Sequence, residues 1–310
     1  MKNATKTNVL FAATVLVYII LMYSLQLVSF DKLSINMQIV IPEIILLIPA
    51  LVYVIVLRPK TVDGVSMSVV SPLTTLLTVV LTFCIMPLVM LINSLSSLFV
   101  ENGVSTTMNS LVKENPIWMN LIIIALLPAV VEEFIFRGLI LNGYKRRNPL
   151  MAILLSSFLF GIMHMNLNQF SYAFVIGLIF GLLAYATGSL LPSILGHFII
   201  NGSSVVMTHM TADNSVEPVA TEVTINWMTY AYTFAVLGIM AFTGLVISFF
   251  LYMVICNKNR GFENVKRIFM KPRRCEFVEA EGKFFDGYLL LGMGVCFLHI
   301  FMNDILARIL

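Results

Sequence analysis

Long apolar runs separated by short polar segments dominate the pattern along this chain of 310 residues. A helix that crosses a hydrocarbon core of roughly 30 Å needs about 20 mostly apolar residues. Eight runs approach or exceed that length, and a ninth, near 286–306, is weaker. The eight lie near 8–30, 38–57, 73–100, 117–143, 149–165, 171–187, 190–209 and 229–256. The pattern therefore predicts an all-α polytopic membrane bundle of about eight transmembrane helices.

Composition supports a membrane protein. Hydrophobic residues make up 59% of the chain and charged residues only 11%, whereas soluble domains contain about 25% charged residues. The net charge of +3 is too small for polyanion binding, and the basic residues fall between apolar runs, so nucleic acid is excluded as a partner. The four cysteines lack C-x-x-C spacing, which argues against a disulfide framework or a thiolate zinc site.

Lysine and arginine are shared unevenly between alternate loops, and cytoplasmic loops normally carry the excess. If the N-terminus is cytoplasmic, Lys32 and Lys113 are the two loop residues outside, Arg137 lies within a span and Arg308 lies at the C-terminal end. The fifteen inside are Lys2, Lys6, Arg58, Lys60, Lys145, Arg146, Arg147, Lys258, Arg260, Lys266, Arg267, Lys271, Arg273, Arg274 and Lys283. We therefore expect a bacterial plasma-membrane protein with a cytoplasmic N-terminus and an uncleaved first span.

The fourth run contains three charged residues, Glu132, Glu133 and Arg137. Each charge within a span costs at least ~2.5 to 3.5 kcal/mol on insertion scales, so such residues are candidates for function. Glu133 and Arg137 are four residues apart on one helix face and are expected to form a salt bridge. Glu132 points about 100° away around the helix and needs another partner.

Partners for Glu132 are available on later spans. His164 ends the fifth run, and His197 and Asn201 share one helical face of the seventh. Their estimated depths are similar to that of Glu132, so we expect all four to line one intramembrane cavity. We also expect that cavity to open on the cytoplasmic side, because the basic turn 145–147 follows the Glu132 span.

Two chemical interpretations of this set stay open. A carboxylate and an imidazole can deprotonate water while a second imidazole and an amide donate to an oxyanion. Alternatively, Glu132, His164 and His197 could bind a divalent cation, most naturally zinc, with one position left for water. Hydrogen-bonded core histidines and an Asn201 that only joins two helices are the structural alternatives.

Three motifs in order resemble those of the CPBP (CAAX protease and bacteriocin-processing, Abi) family of intramembrane proteases. The family patterns E-E-x-x-x-R, F-x-x-x-H and H-x-x-x-N/D match Glu132-Glu133-x-x-x-Arg137, Phe160-x-x-x-His164 and His197-x-x-x-Asn201. The resemblance covers roughly 117–208. It implies three domains: about three N-terminal transmembrane helices (1–116), a CPBP-like catalytic core (117–208), and a C-terminal part (209–310). That last part would hold an exterior loop, the eighth transmembrane helix, a basic cytoplasmic connector and a C-terminal helix.

The resemblance also implies roles for the motif residues. Glu132 and His164 would activate the hydrolytic water, and His197 and Asn201 would hold the oxyanion. Glu133 and Arg137 would brace the site or contact substrate. The family is described both as metalloproteases and as glutamate peptidases, so the resemblance leaves metal dependence open.

The leading hypothesis is an intramembrane endopeptidase that hydrolyses a peptide bond of a membrane-associated or prepeptide substrate. Its partners would be that peptide or protein and the lipid bilayer. A non-proteolytic immunity or scaffold protein that binds a peptide is the alternative, and a proton-coupled transporter is third. Outside the motifs, we expect Glu43 to reach the membrane interface and His209 and His299 to be non-catalytic. The residues Asn166, Asn168 and Gln169 should form the turn between the fifth and sixth spans.

Overall fold

The computed structural model describes residues 2–28, 30–57, 66–100, 103–212, 227–259, 266, 268 and 282–306. Within these ranges the regular structure is helical. We number ten helices: α1 (Asn3–Leu27), α2 (Ile35–Leu57), α3 (Pro72–Ser97), α4 (Gly103–Glu114), α5 (Ile117–Tyr144), α6 (Pro149–Met163), α7 (Leu167–Thr187), α8 (Leu191–Ala212), α9 (Trp227–Asn259) and α10 (Gly287–Ile300). The last continues as a π-helical segment, Phe301–Leu306.

Eight of these helices are long and apolar enough to cross a membrane, which confirms the predicted helical membrane bundle. They are α1, α2, α3, α5, α7, α8, α9 and the helix from Gly287 to Leu306. The set of eight possible spans differs from the predicted set in one respect. The weak ninth run has the required length, whereas α6 has only 15 residues, about 22 Å at 1.5 Å per residue.

Helix α6 is short because local signals fix both its start and its end. Asn148 caps its start by accepting a hydrogen bond from the Met151 N–H at 3.0 Å, and Pro149 follows in the first turn. At the other end the chain reverses through Met165, whose φ is 51°. Asn166 then caps α7 by accepting from the Gln169 N–H at 2.9 Å, as expected for a turn residue.

The pattern did not predict α4, because the residues from Gly103 to Glu114 are mostly polar or small. The helix lies between the C-terminal end of α3 and the start of α5 and packs on α8. Most of the predicted exterior loop (210–226) and basic connector (257–285) lies outside the described residues.

The packing fits a bundle surrounded by lipid. At the closest approach of α9 to α3, a Cβ on Gly244 would collide with the backbone oxygen of Cys84, as is usual where small residues join membrane helices. Away from that contact α9 exposes large apolar side chains, among them Ile239, Phe242 and Phe249. An apolar exterior of this extent indicates a lipid-facing surface.

Candidate active site

The central helix α5 carries two π-helical segments that flank the acidic pair. They run over Leu121–Leu126 and Phe134–Leu141. Such segments shift the helix register and leave carbonyls that need other donors, and they occur often at functional sites. The neighbouring helices supply those donors near the second segment: the Ser156 hydroxyl donates to the carbonyl of Phe136 at 2.7 Å. The irregular backbone of α5 is thus held in place by side chains.

The first segment is linked to Asn201 through a proline. Pro128 has no N–H to donate to the carbonyl of Ile124, four residues earlier. Asn201 Nδ2 lies 3.4 Å from that carbonyl oxygen. One N–H of Asn201 is therefore directed to the backbone, and the other remains available for a ligand.

Glu133 and Arg137 form the predicted salt bridge. Glu133 Oε1 lies 2.8 Å from Arg137 Nη1, and both side chains are fully buried. The guanidinium carbon of Arg137 lies 4.4 Å from the centroid of the Phe160 ring, a distance at which cation–π attraction contributes. This confirms that the second glutamate, and not the first, pairs with the arginine.

His197 lies between the two glutamates. Its Nδ1 is 3.1 Å from Glu133 Oε1 and its Nε2 is 3.6 Å from Glu132 Oε2. A carboxylate that already accepts from Arg137 can only accept from the imidazole, so Nδ1 carries a proton. Nε2 is therefore a donor when the ring is an imidazolium and an acceptor when it is neutral. The sequence did not predict this contact of Glu133.

His164 is oriented by its own helix. Its Nδ1 lies 2.9 Å from the carbonyl oxygen of Phe160, to which it donates. In a neutral ring the lone pair is then on Nε2, the form needed to accept a proton from water. The Phe160 ring lies against both histidines, with its centroid 4.9 Å from that of His164 and 5.9 Å from that of His197. Phe160 thus packs against both imidazoles and the Arg137 cation.

The four predicted catalytic residues line one cavity of about 540 Å³. Glu132 contributes from α5, His164 from α6, and His197 and Asn201 from α8. The predicted convergence of these side chains is confirmed, while their catalytic roles stay predictions. Helices α1 to α8 all contribute to the lining, so the cavity extends beyond the predicted core of 117–208.

The sequence predicted a cavity that opens beside the basic turn 145–147, but the structure places the opening at the other end of the bundle. Its lining includes Asn109 on α4, Gln169 at the start of α7 and Thr208 near the end of α8. These positions are at the end of the bundle opposite the turn 145–147 that follows α5. Asn109 is solvent-exposed, which indicates that the opening is on that side.

Packing explains why the other end is closed. Leu141, Ile153 and Ile268 form a buried apolar cluster beyond the acidic pair, and Phe180 packs behind His197 with ring centroids 5.8 Å apart. The position of a residue along its helix carries no information on which end of the bundle packs tightly.

Glu43 and Asn93 are among the polar residues of the cavity that were not predicted to line it. Glu43, expected at the interface, lines the cavity, and so does Asn93 of α3. The signal that could have identified Glu43 was present, because it is an acidic residue inside an apolar run. By contrast, His209 bonds to backbone carbonyls of Val205 and Asn115 and does not line the cavity, consistent with its expected non-catalytic role.

The residues do not form a metal site in this geometry. Among the described residues, no three His, Cys, Asp or Glu side chains approach closely enough to hold a metal ion. Glu132 and His197 approach each other, but His164 does not complete a set of three with them. The zinc ligand set of Glu132, His164 and His197 therefore stays a prediction, and we derive no catalytic step through a metal.

Residues 114–203 match the family model described as Rce1-like, type II CAAX prenyl endopeptidase Rce1-like. The match contains all three motifs and covers α5, α6, α7 and part of α8. No curated protein and no solved structure matches the chain. The predicted resemblance to the CPBP (Abi) family is thus confirmed over residues 114–203, which are similar to a family of intramembrane CAAX-type proteases. The eight apolar helices indicate an integral membrane protein.

Proposed function

We propose that the chain is an intramembrane endopeptidase that uses Glu132 and His164 to activate a water molecule. The observation that supports this most strongly is the convergence of Glu132, His164, His197 and Asn201 on one cavity. Burying four polar side chains within apolar spans is costly unless they are used or satisfied. Because these side chains come from three separate helices, their convergence on one cavity favours a functional role.

The first step is attack of water on the scissile carbonyl carbon. Glu132 accepts one proton of the water, and the Nε2 lone pair of His164 accepts a hydrogen bond from its remaining O–H. The new C–O bond forms as the C=O π pair moves to the carbonyl oxygen, giving a tetrahedral oxyanion. General-base assistance of this kind contributes typically about 10² to 10⁴ in rate.

The oxyanion is held by His197 and Asn201. His197 donates from Nε2 in its imidazolium form, with the carboxylates of Glu133 at 3.1 Å and Glu132 at 3.6 Å beside the ring. Asn201 donates with the N–H that Ile124 does not use. When the oxyanion collapses, the C–N bond breaks and the proton held by Glu132 passes to the leaving amine.

Glu133 and Arg137 act as positioning residues. The salt bridge holds Glu133 Oε1 where it can accept from Nδ1 of His197. This sets the orientation and the proton of the imidazole without contact to substrate. The arrangement parallels other sites in which a buried carboxylate fixes the tautomer of a catalytic histidine.

We further propose that the N-terminus is cytoplasmic and the membrane a bacterial plasma membrane. The distribution of Lys and Arg supports this orientation. Since the cavity opens opposite the turn 145–147, its mouth would then face the exterior. A membrane-associated or prepeptide substrate would enter from the outer leaflet or the outer aqueous phase.

A cleavage assay tests the function. The purified chain in proteoliposomes is incubated with a library of peptides, and products are identified by mass spectrometry. We expect cleavage by the wild type and by E114Q, which changes an exposed glutamate on α4, and none by E132A. Activity should persist after treatment with a chelator, because the described residues hold no three-ligand site.

Different outcomes point to the alternatives. Peptide binding without cleavage by the wild type would favour an immunity or scaffold function. Chelator-sensitive cleavage restored by zinc would favour the metalloprotease version and contradict the metal-free steps above.

A further inference from the structure

Glu43 is a carboxylate of the catalytic cavity that the proposed mechanism does not use. It lies on α2, outside the segment that matches the family, and it shares the cavity with Glu132 and His197. Its Oε2 atom is buried, and no described residue hydrogen-bonds it. An acidic group placed this way lacks a partner within the described chain.

A second acceptor of the same kind lines the cavity from α3. The Oδ1 atom of Asn93 is buried and receives no hydrogen bond from the described residues. Buried acceptors are nearly always paired, so an unpaired one needs an explanation. Two of them, on α2 and α3 in the lining of one cavity, point to a ligand that brings several hydrogen-bond donors.

The charge of the lining points the same way. Among the described residues that line the cavity, the carboxylates are Glu43 and Glu132, and there is no lysine or arginine. An ammonium group brings three N–H donors and a guanidinium five, with a positive charge that no lysine or arginine of the lining supplies. Such a ligand would satisfy both unpaired acceptors and favour the ionised form of Glu43.

We propose that Glu43 and Asn93 form a subsite that binds a cationic group of the substrate peptide. The cation is the side chain of a lysine or arginine near the scissile bond, or the ammonium of a peptide N-terminus. This inference rests on the proposed peptidase function, because it names the substrate class of the same cavity. Glu43 is a specificity-determining residue here and takes no part in the bond cleavage.

Matched peptides test the subsite. Each pair has the same leucine-rich sequence and differs at one position, lysine in one member and glutamine in the other. The position is moved stepwise along the peptide, and each peptide is made with a free or an acetylated N-terminus. Lysine dependence identifies a side-chain cation, whereas sensitivity to acetylation identifies the N-terminal ammonium.

Binding is measured first, in the E132Q background, so that the readout does not depend on turnover. We expect E132Q to bind the cationic member of a pair at least tenfold more tightly than the neutral member. E132Q/E43Q should lose this preference while binding the neutral peptide as before. E132Q/E114Q is the matched control and should keep the preference, since Glu114 is exposed and does not line the cavity.

Turnover by the single variants separates the two claims. If E132Q still cleaves, the proposed mechanism fails, while the binding measurement still decides the subsite. If E132Q is inactive but shows no charge preference in any pair, the subsite is wrong and the peptidase proposal stands. Equal loss of neutral and cationic peptide binding in E43Q would also overturn the subsite. Should E43Q not fold, N93L provides the second test and is expected to reduce the preference.

Discussion

His197 Nδ1 lies 3.1 Å from Glu133 Oε1, the same oxygen that Arg137 Nη1 approaches at 2.8 Å. The second glutamate of the E-E-x-x-x-R motif therefore joins an arginine on its own helix to a histidine on α8. Because an ionised carboxylate can only accept, this contact places a proton on Nδ1 of His197. The adjacent glutamates have separate surroundings: Glu133 contacts the imidazole, and Glu132 lines the cavity.

Replacing Glu133 by glutamine should impair catalysis through His197. The amide lacks the charge that stabilises the imidazolium, so we expect kcat to fall at least tenfold with little change in KM. E133D, which keeps the carboxylate on a shorter side chain, should recover part of the loss. Steady-state kinetics on one cleaved peptide measures both values. A pure KM effect, or equal loss in E133D and E133Q, would contradict this role.

Replacing Arg137 by alanine should destabilise the fold. The change leaves the buried Glu133 carboxylate without its cation, and removing one partner of a buried pair typically costs about 3 to 5 kcal/mol. The double variant R137M/E133L, which leaves no stranded charge, should be closer to wild type in stability. Thermal unfolding in detergent gives the comparison. An R137A midpoint equal to that of wild type would show that the ion pair does not support the fold.

Replacing His164 by asparagine tests which ring nitrogen matters. The asparagine amide can still donate to the carbonyl of Phe160, as Nδ1 does at 2.9 Å, but it has no group in the position of Nε2. We expect H164N to lose about 10² to 10⁴ in kcat, as much as H164A. Near-normal activity of H164N would mean that the imidazole serves only to hold the turn after α6.

The helical fold and much of the candidate site were predictable because both depend on apolar surroundings. Runs of apolar residues specify membrane helices, and a charge or imidazole inside such a run stands out against them. The pairing of Glu133 with Arg137 followed from helical spacing alone. The convergence of Glu132 with His164, His197 and Asn201 followed from comparable depths.

What could not be predicted depends on how the helices pack sideways. The contact of Glu133 with His197 needs the relative rotation of α5 and α8, which no local pattern encodes. Glu43 was predicted to reach the interface because it lies near the end of its apolar run. The sequence did not show the direction in which its side chain points. The position of the cavity mouth also depends on how the helices pack, because tight packing around Leu141 and Ile153 closes one end.

Cysteine labelling should reveal on which side the cavity opens. In a variant without native cysteines, N109C lies at the predicted mouth and R146C at the opposite end of α5; both native side chains are exposed. With a cytoplasmic N-terminus, a membrane-impermeable maleimide added to intact cells should label N109C. R146C should react only after permeabilisation. The reverse pattern would place the mouth in the cytoplasm.

The most direct test of the account is a single-turnover cleavage in H₂¹⁸O with wild type and E132Q. We expect the wild type to incorporate one ¹⁸O atom into the new C-terminal carboxylate of the peptide. E132Q, with an unchanged unfolding midpoint, should form product at least 10² times more slowly. Product formed by E132Q at the wild-type rate would contradict activation of water by Glu132, whatever the cavity contains.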